Sequence, residues 1–144
     1  PMGQGEVYTA LQSGVLDGAE NNETVYNALK HDEVAKFYSY TRHLAIPDYL
    51  LMSTQALEAM PEADRQALLD LIPETITEAN EGFLKFAADS KAASESIGAT
   101  FVTDVDVDAF KARVQPLIQE SINNPVRQAL YDAVQKANEA HPAK

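Results

Sequence analysis

Apolar residues recur every three or four positions through much of the chain, and the breaks in that rhythm fall on glycine, proline and asparagine. After a loop over 1–5 with two glycines, Val7, Ala10 and Leu11 share one side of a short helix over 6–13, with Gly14 placed to end it. A turn then leads into a short buried segment whose end presents Glu20, Asn21 and Asn22. Val25, Leu29, Val34, Phe37 and Tyr38 keep roughly helical spacing. They predict a helix over 23–30 capped by Asn22 and a second over 33–40 capped by Asp32. Arg42 and His43 follow in a turn.

The segment 46–53, IPDYLLMS, is the best strand candidate, because its run Tyr49-Leu50-Leu51-Met52 is continuous and apolar, as in a strand buried on both faces. Ser53 or Thr54 then caps a short helix ending near Met60. Pro61 opens the longest element, with Glu62 and Asp64 suited to the positive end of its dipole. Leu69, Ile72, Ile76, Ala79, Phe83 and Phe86 form its apolar stripe, expected as core, and Gly98 stops it. Over 61–97 such a helix is roughly 55 Å long, bent near Pro73. A short strand is expected over 100–103. Asp104 or Asp106 caps a helix over 107–122 with Phe110, Val114, Leu117 and Ile118 inward. Asn123-Asn124 break that helix, and Pro125 begins a last helix to about Ala140, striped by Val126, Leu130, Val134 and Ala137. The expected fragment is mainly α-helical, with two to four short strands and one long bent helix.

A length of 144 residues suits one domain with a real core. Eleven basic against 22 acidic residues give a net charge of −11, which argues against nucleic acid or an anionic membrane as partner. With no cysteine, neither disulfides nor thiol chemistry is available. No signal peptide or membrane-spanning run is visible. A start at Pro1, without methionine, is what a fragment or processed product would show.

Chemistry is sparse. No G-x-S-x-G, H-E-x-x-H or glycine-rich phosphate loop occurs, so no catalytic residue, cofactor or metal is assigned. His31-Asp32-Glu33 has metal-capable groups, but neighbours in sequence rarely converge on one ion. Asp104-Val-Asp106-Val-Asp108 begins like a calcium loop and then fails it, with Ala109 at the glycine position and Gln115 at the bidentate glutamate position. Helix capping explains it better. Glu20-Asn21-Asn22 offers donors and acceptors to a polar ligand; an ordinary turn with an N-cap is the plain alternative. Glu6 is expected to serve the start of its helix.

The block EVYTALQ-x-G-x-x-DG-x-EN, over Glu6 to Asn21 and preceded by Pro1-Met2, resembles the substrate-binding proteins of the tripartite ATP-independent periplasmic (TRAP) transporters, the DctP-like family. The likeness extends over the whole chain but matches only about the C-terminal half of such a protein. It implies an α/β, two-lobed periplasmic-binding-protein fold that closes on a small organic acid by hinge motion and delivers it to a membrane permease. Residues 1–45 would form a ligand-facing segment, and 46–144 a strand, a long connecting helix and C-terminal helices. The resemblance assigns ligand binding to Asn21, with Gln4 at a position that is often aromatic, Asn22 where proline is common, and Glu20 beside them. The Asn-Asn pair resembles members that take hexuronates. The family's carboxylate-binding arginine lies upstream of this motif; Arg42, Arg65, Arg113 and Arg127 do not match it. A periplasmic location follows from the same likeness, and the apolar surface left without the upstream lobe would drive self-association of this chain alone. A helical interaction module without ligand is the alternative.

Overall fold

The computed structural model describes residues 2–44 and 46–141. Pro1 of the motif, Ala45 and the last three residues lie outside them. The chain forms two compact units. One runs to Tyr40 and resumes over Leu44–Thr103; the other comprises Thr41–His43 and the chain from Asp104 onward.

The first unit begins with a 3-10 turn, Gln4–Glu6, that passes into α1, Val7–Gln12. Glu6 serves the helix start as expected: its Oε2 accepts from the Gly3 amide at 3.0 Å. Gly14 ends α1 at φ 74°, and the Val15 amide reaches back to the Ala10 carbonyl at 2.9 Å. That is the left-handed termination for which glycine carries no steric penalty. Asn22 caps α2, Glu23–Ala28, with its Oδ1 accepting from Val25 N at 3.0 Å, a bond of about 1 kcal/mol. Lys30, at φ 62°, breaks the path before α3, His31–Val34.

Two expectations fail in the next stretch. Residues 33–40 do not form one helix: α3 stops at Val34, and Phe37–Ser39 is strand β1, paired in parallel with β2, Thr100–Val102. Backbone pairing with a segment some sixty residues away overrides the local helical spacing. The segment 46–53 is not a strand. It is irregular, and Tyr49 and Leu51 are 75% and 84% exposed. A strand exists only beside another strand, and among the described residues none pairs with it.

Ser53 caps α4, Thr54–Glu58, and Pro61 stands at the head of α5, Glu62–Ser96. At 1.5 Å per residue α5 is about 52 Å long. It runs unbroken past Pro73, whose missing N–H removes one backbone bond. Gly98, at φ 92°, ends it as Gly14 ends α1, with Ala99 N bonded to Ser94 O at 3.0 Å. The expected burial of its apolar stripe is not found: Leu69, Ile76, Phe83 and Phe86 are all exposed. The buried face lies further on, at Ser90 and Ser94, where α2 and α3 meet the helix.

Side chains of the first unit pack in two clusters. On one face of the sheet, the Tyr38 ring lies 5.0 Å from Phe101, 5.1 Å from Tyr26 and 5.2 Å from Tyr40. Lys91 Nζ covers Phe101 at 4.9 Å. In the second cluster, the fully buried Asp32 accepts through Oδ2 from Ser94 Oγ at 2.7 Å and Asn27 Nδ2 at 2.9 Å, tying α2, α3 and α5 together. A buried carboxylate is tolerable only with such donors.

In the second unit, Asp106 Oδ1 accepts from Ala109 N at 2.9 Å and caps α6, Val107–Ser121, so the acidic run is a helix start as expected. Asn124 caps α7, Pro125–Ala140, through a 3.0 Å bond from Arg127 N. The Arg127 guanidinium reaches Ser121 O at 2.9 Å, joining the two helices at the turn. The inward faces expected of α6 and α7 are instead exposed at Phe110, Val114, Leu117, Val126, Leu130 and Val134.

Candidate functional site

The expected buried segment before Asn21 is not buried. Residues 17–22 are exposed and belong to no helix or strand. They are held from outside by the sheet: Tyr38 Oη donates to the Asn21 carbonyl at 2.7 Å. Asn21 Oδ1 accepts from the Asn22 amide at 3.0 Å. Asn22 spends its own Oδ1 on the α2 cap and on Thr24 Oγ1, the latter at 2.7 Å. Thus the structure joins Asn21 to Asn22 and to β1. It also gives them different roles, with Asn22 held in the helix start.

Gln4 sits in a separate element, exposed in the turn ahead of α1. Tyr8 anchors that helix to α3 by donating to Glu33 Oε2 at 3.0 Å, and this hydrogen bond raises its hydroxyl above the usual tyrosine range. Glu20 is exposed, and its charge is felt at Tyr38. Burial first, then Glu23, Glu20 and Tyr26, push the Tyr38 hydroxyl up to about 12. Burial and a hydrogen bond with Glu23 raise Tyr40 further still. Both phenols therefore stay protonated, and Tyr38 stays a donor, through the neutral range.

The field around this edge is negative. Of the nearby cations, Lys36 donates to Ile97 O at 3.1 Å and Lys91 lies over Phe101 and pairs with Glu95. An edge of this kind suits hydroxyl and carbonyl groups better than a carboxylate, which wants a paired guanidinium. Two open hollows occur elsewhere. One of about 530 Å³ is lined by Met2, Glu6, Thr9 and Ser13, and another of about 350 Å³ by Val114, Leu117 and Ile122. Neither is lined by residues 20–22. Among the described residues, no group of His, Asp and Glu is arranged to hold a metal ion, and no helix is long and apolar enough to cross a membrane.

Reading the sequence alone misses Tyr38, because residues 33–40 look helical. The one signal for it is the alternation Tyr38-Ser39-Tyr40, which puts both rings on one face of a strand.

A helix-rich chain with a parallel strand pair and a polar segment bonded to one strand is compatible with an α/β ligand-binding fragment. The comparisons name the family. Residues 1–125 match the bacterial extracellular solute-binding proteins of family 7, DctP, and the chain belongs to that family. It is 41% identical to the uncharacterised protein YiiZ of Salmonella typhimurium over 94% of this chain and 42% of that one. Two solved TRAP periplasmic solute-binding proteins resemble it closely. That of Chromohalobacter salexigens, with bound D-glucuronate, superposes with a TM-score of 0.84 at 34% identity, over 95% of this chain and 46% of that one. That of Anaerococcus prevotii, with bound D-glucuronate, gives 0.80 at 39% identity, over 99% and 46%. This chain therefore spans less than half the length of the relatives it matches.

Proposed function

We propose that the chain supplies the Asn21-bearing half of a TRAP transporter solute-binding protein that captures a hexuronate or similar sugar acid outside the membrane and delivers it to the permease. On this reading the protein is not an enzyme, it works in the periplasm, and residues 1–45 carry the ligand-facing edge while 46–144 carry the connecting and C-terminal helices. The observation that carries the proposal is the likeness over nearly the whole chain to solved relatives holding D-glucuronate. The site fits the same ligand class. Asn21 offers an amide to sugar hydroxyls, with Glu20, Asn22 and Gln4 bordering it. The acidic surroundings leave the ligand's carboxylate to a cationic group that the rest of such a protein supplies.

The test is calorimetry on a protein of the relatives' full length carrying this segment, against uronates, aldonates, C4-dicarboxylates and neutral sugars. A hexuronate should bind tightest. Asn21→Ala should weaken it about tenfold to a hundredfold, or roughly 1–3 kcal/mol, because a ligand group is left unpaired in a closed cleft. Tight binding of a neutral sugar alone would remove the acid claim, and unchanged affinity in Asn21→Ala would remove the site.

A further inference from the structure

We infer that Tyr38 is the positioning residue of this site, and that with the Asn22 amide it presents Asn21 as a hydrogen-bond donor. The inference rests on the reading of Asn21 just given. Residues 17–22 have no helix or strand of their own to fix them. What fixes Asn21 is the 2.7 Å bond from Tyr38 Oη to its main-chain carbonyl. Tyr38 is itself rigidly placed. It lies mid-strand in β1, opposite Phe101 in the parallel register, with its ring held among Tyr26, Tyr40 and Phe101 at 5.0–5.2 Å. A regular, packed element thus orients an irregular, exposed one, the arrangement a binding group needs.

The second half concerns the carboxamide. An asparagine side chain can accept through Oδ1 and donate through Nδ2. Here Oδ1 already takes the Asn22 N–H at 3.0 Å. Nδ2 keeps both its hydrogens for a ligand, while Oδ1 is left with one of its two acceptor positions. A site built this way favours ligands that bring neutral acceptor oxygens to this point, such as hydroxyls or a ring oxygen.

The experiment uses the full-length protein and D-glucuronate as the calorimetric probe. Tyr38→Phe keeps the stacked ring and removes only the hydroxyl. It should weaken binding about three- to tenfold when Asn21 is present, and less than about twofold in the Asn21→Ala background. Asn21→Asp retains the acceptor for Asn22 N–H but replaces the donor with a negative oxygen, and should bind more weakly than Asn21→Ala. Amide exchange at Asn22 should quicken in Tyr38→Phe while the Tyr40 amide, bonded to Val102 O, keeps its protection.

Wild-type affinity in Tyr38→Phe, or an equal loss in both backgrounds, overturns the positioning role. Binding by Asn21→Asp as tight as by the unaltered protein overturns the donor role. Equal changes in exchange at Asn22 and Tyr40 mean a general loosening and overturn the local claim. If Asn21→Ala itself binds normally, the reading of Asn21 fails and the inference falls with it. If Asn21→Ala is weak and Tyr38→Phe is normal, the inference alone fails.

Discussion

The two ends of α5 are made of the same helix and differ in what they touch. Along the first two thirds, Leu69, Ile76, Phe83 and Phe86 present a regular apolar stripe that is exposed. Along the last part, the same face continues through Ala87, Ser90 and Ser94, and here α2 and α3 pack on it. The apolar end is bare and the serine end is buried. Periodicity marks a helix face; it does not say which part of that face finds a partner. Small residues permit close approach, and a hydroxyl can then serve the buried Asp32.

Substitutions can break this contrast, and the aromatic cluster beside the buried end should respond most. Phe101→Ala removes the ring that Tyr26, Tyr38, Tyr40 and Lys91 share and should cost about 3 kcal/mol in denaturant unfolding. A cost below about 1 kcal/mol would mean the sheet face is not the packed heart of this unit.

Ser94→Ala removes one donor from a buried carboxylate and should cost about 2 kcal/mol. Ser90→Ala, one turn earlier, is its control. The Ser90 hydroxyl is buried without a partner, so its loss should be neutral or slightly stabilising. Equal losses in the two variants would show that helix packing, and not the Asp32 bond, holds α5 in place.

Alkaline titration sharpens the same point. The folded state holds the Tyr38 proton more tightly than the unfolded chain does, because its pKa is raised from the ordinary 10.0 to about 12. Its contribution to stability is therefore full below pH 10 and is lost as pH rises through about 12. The loss should be modest, since the hydroxyl is partly exposed and its charge interactions are screened. Urea unfolding at about pH 9 and pH 11.5 should show the decline, and Tyr38→Phe should reduce it while the share from Tyr40 and Tyr26 remains.

The smallest effect on folding belongs to the bare region. Leu51→Ser should change the unfolding free energy by no more than about 0.5 kcal/mol, because Leu51 is 84% exposed. Its effect should appear in association. We expect this chain, taken alone, to self-associate through residues 49–52 or the α5 stripe, and Leu51→Ser to weaken that in sedimentation. A monomer insensitive to dilution would remove the expectation.

The features legible in the sequence are local. Asn22 caps the helix it precedes, Ser53 and Asp106 are the caps out of the pairs Ser53 or Thr54 and Asp104 or Asp106, and Gly14 and Gly98 end their helices. Each result follows from a side chain or a φ angle acting within four residues of itself. Family membership was equally legible, because an ordered motif is a property of the string. Asn21 could be singled out as a candidate on the same ground, but not the bonds that hold it.

Contacts between distant residues had to come from the tertiary structure. Phe37–Ser39 is a strand because Thr100–Val102 lies beside it, while the equally apolar 46–53 has no such neighbour among the described residues and is irregular. Tyr38 meets Asn21, and Ser94 meets Asp32, across separations that no window of spacing covers. A helix closes its hydrogen bonds within its own segment, so its caps and ends can be read locally where no distant strand competes for the same residues. A strand, a buried carboxylate and an oriented amide each need a partner from elsewhere in the chain, so only the folded arrangement decides them.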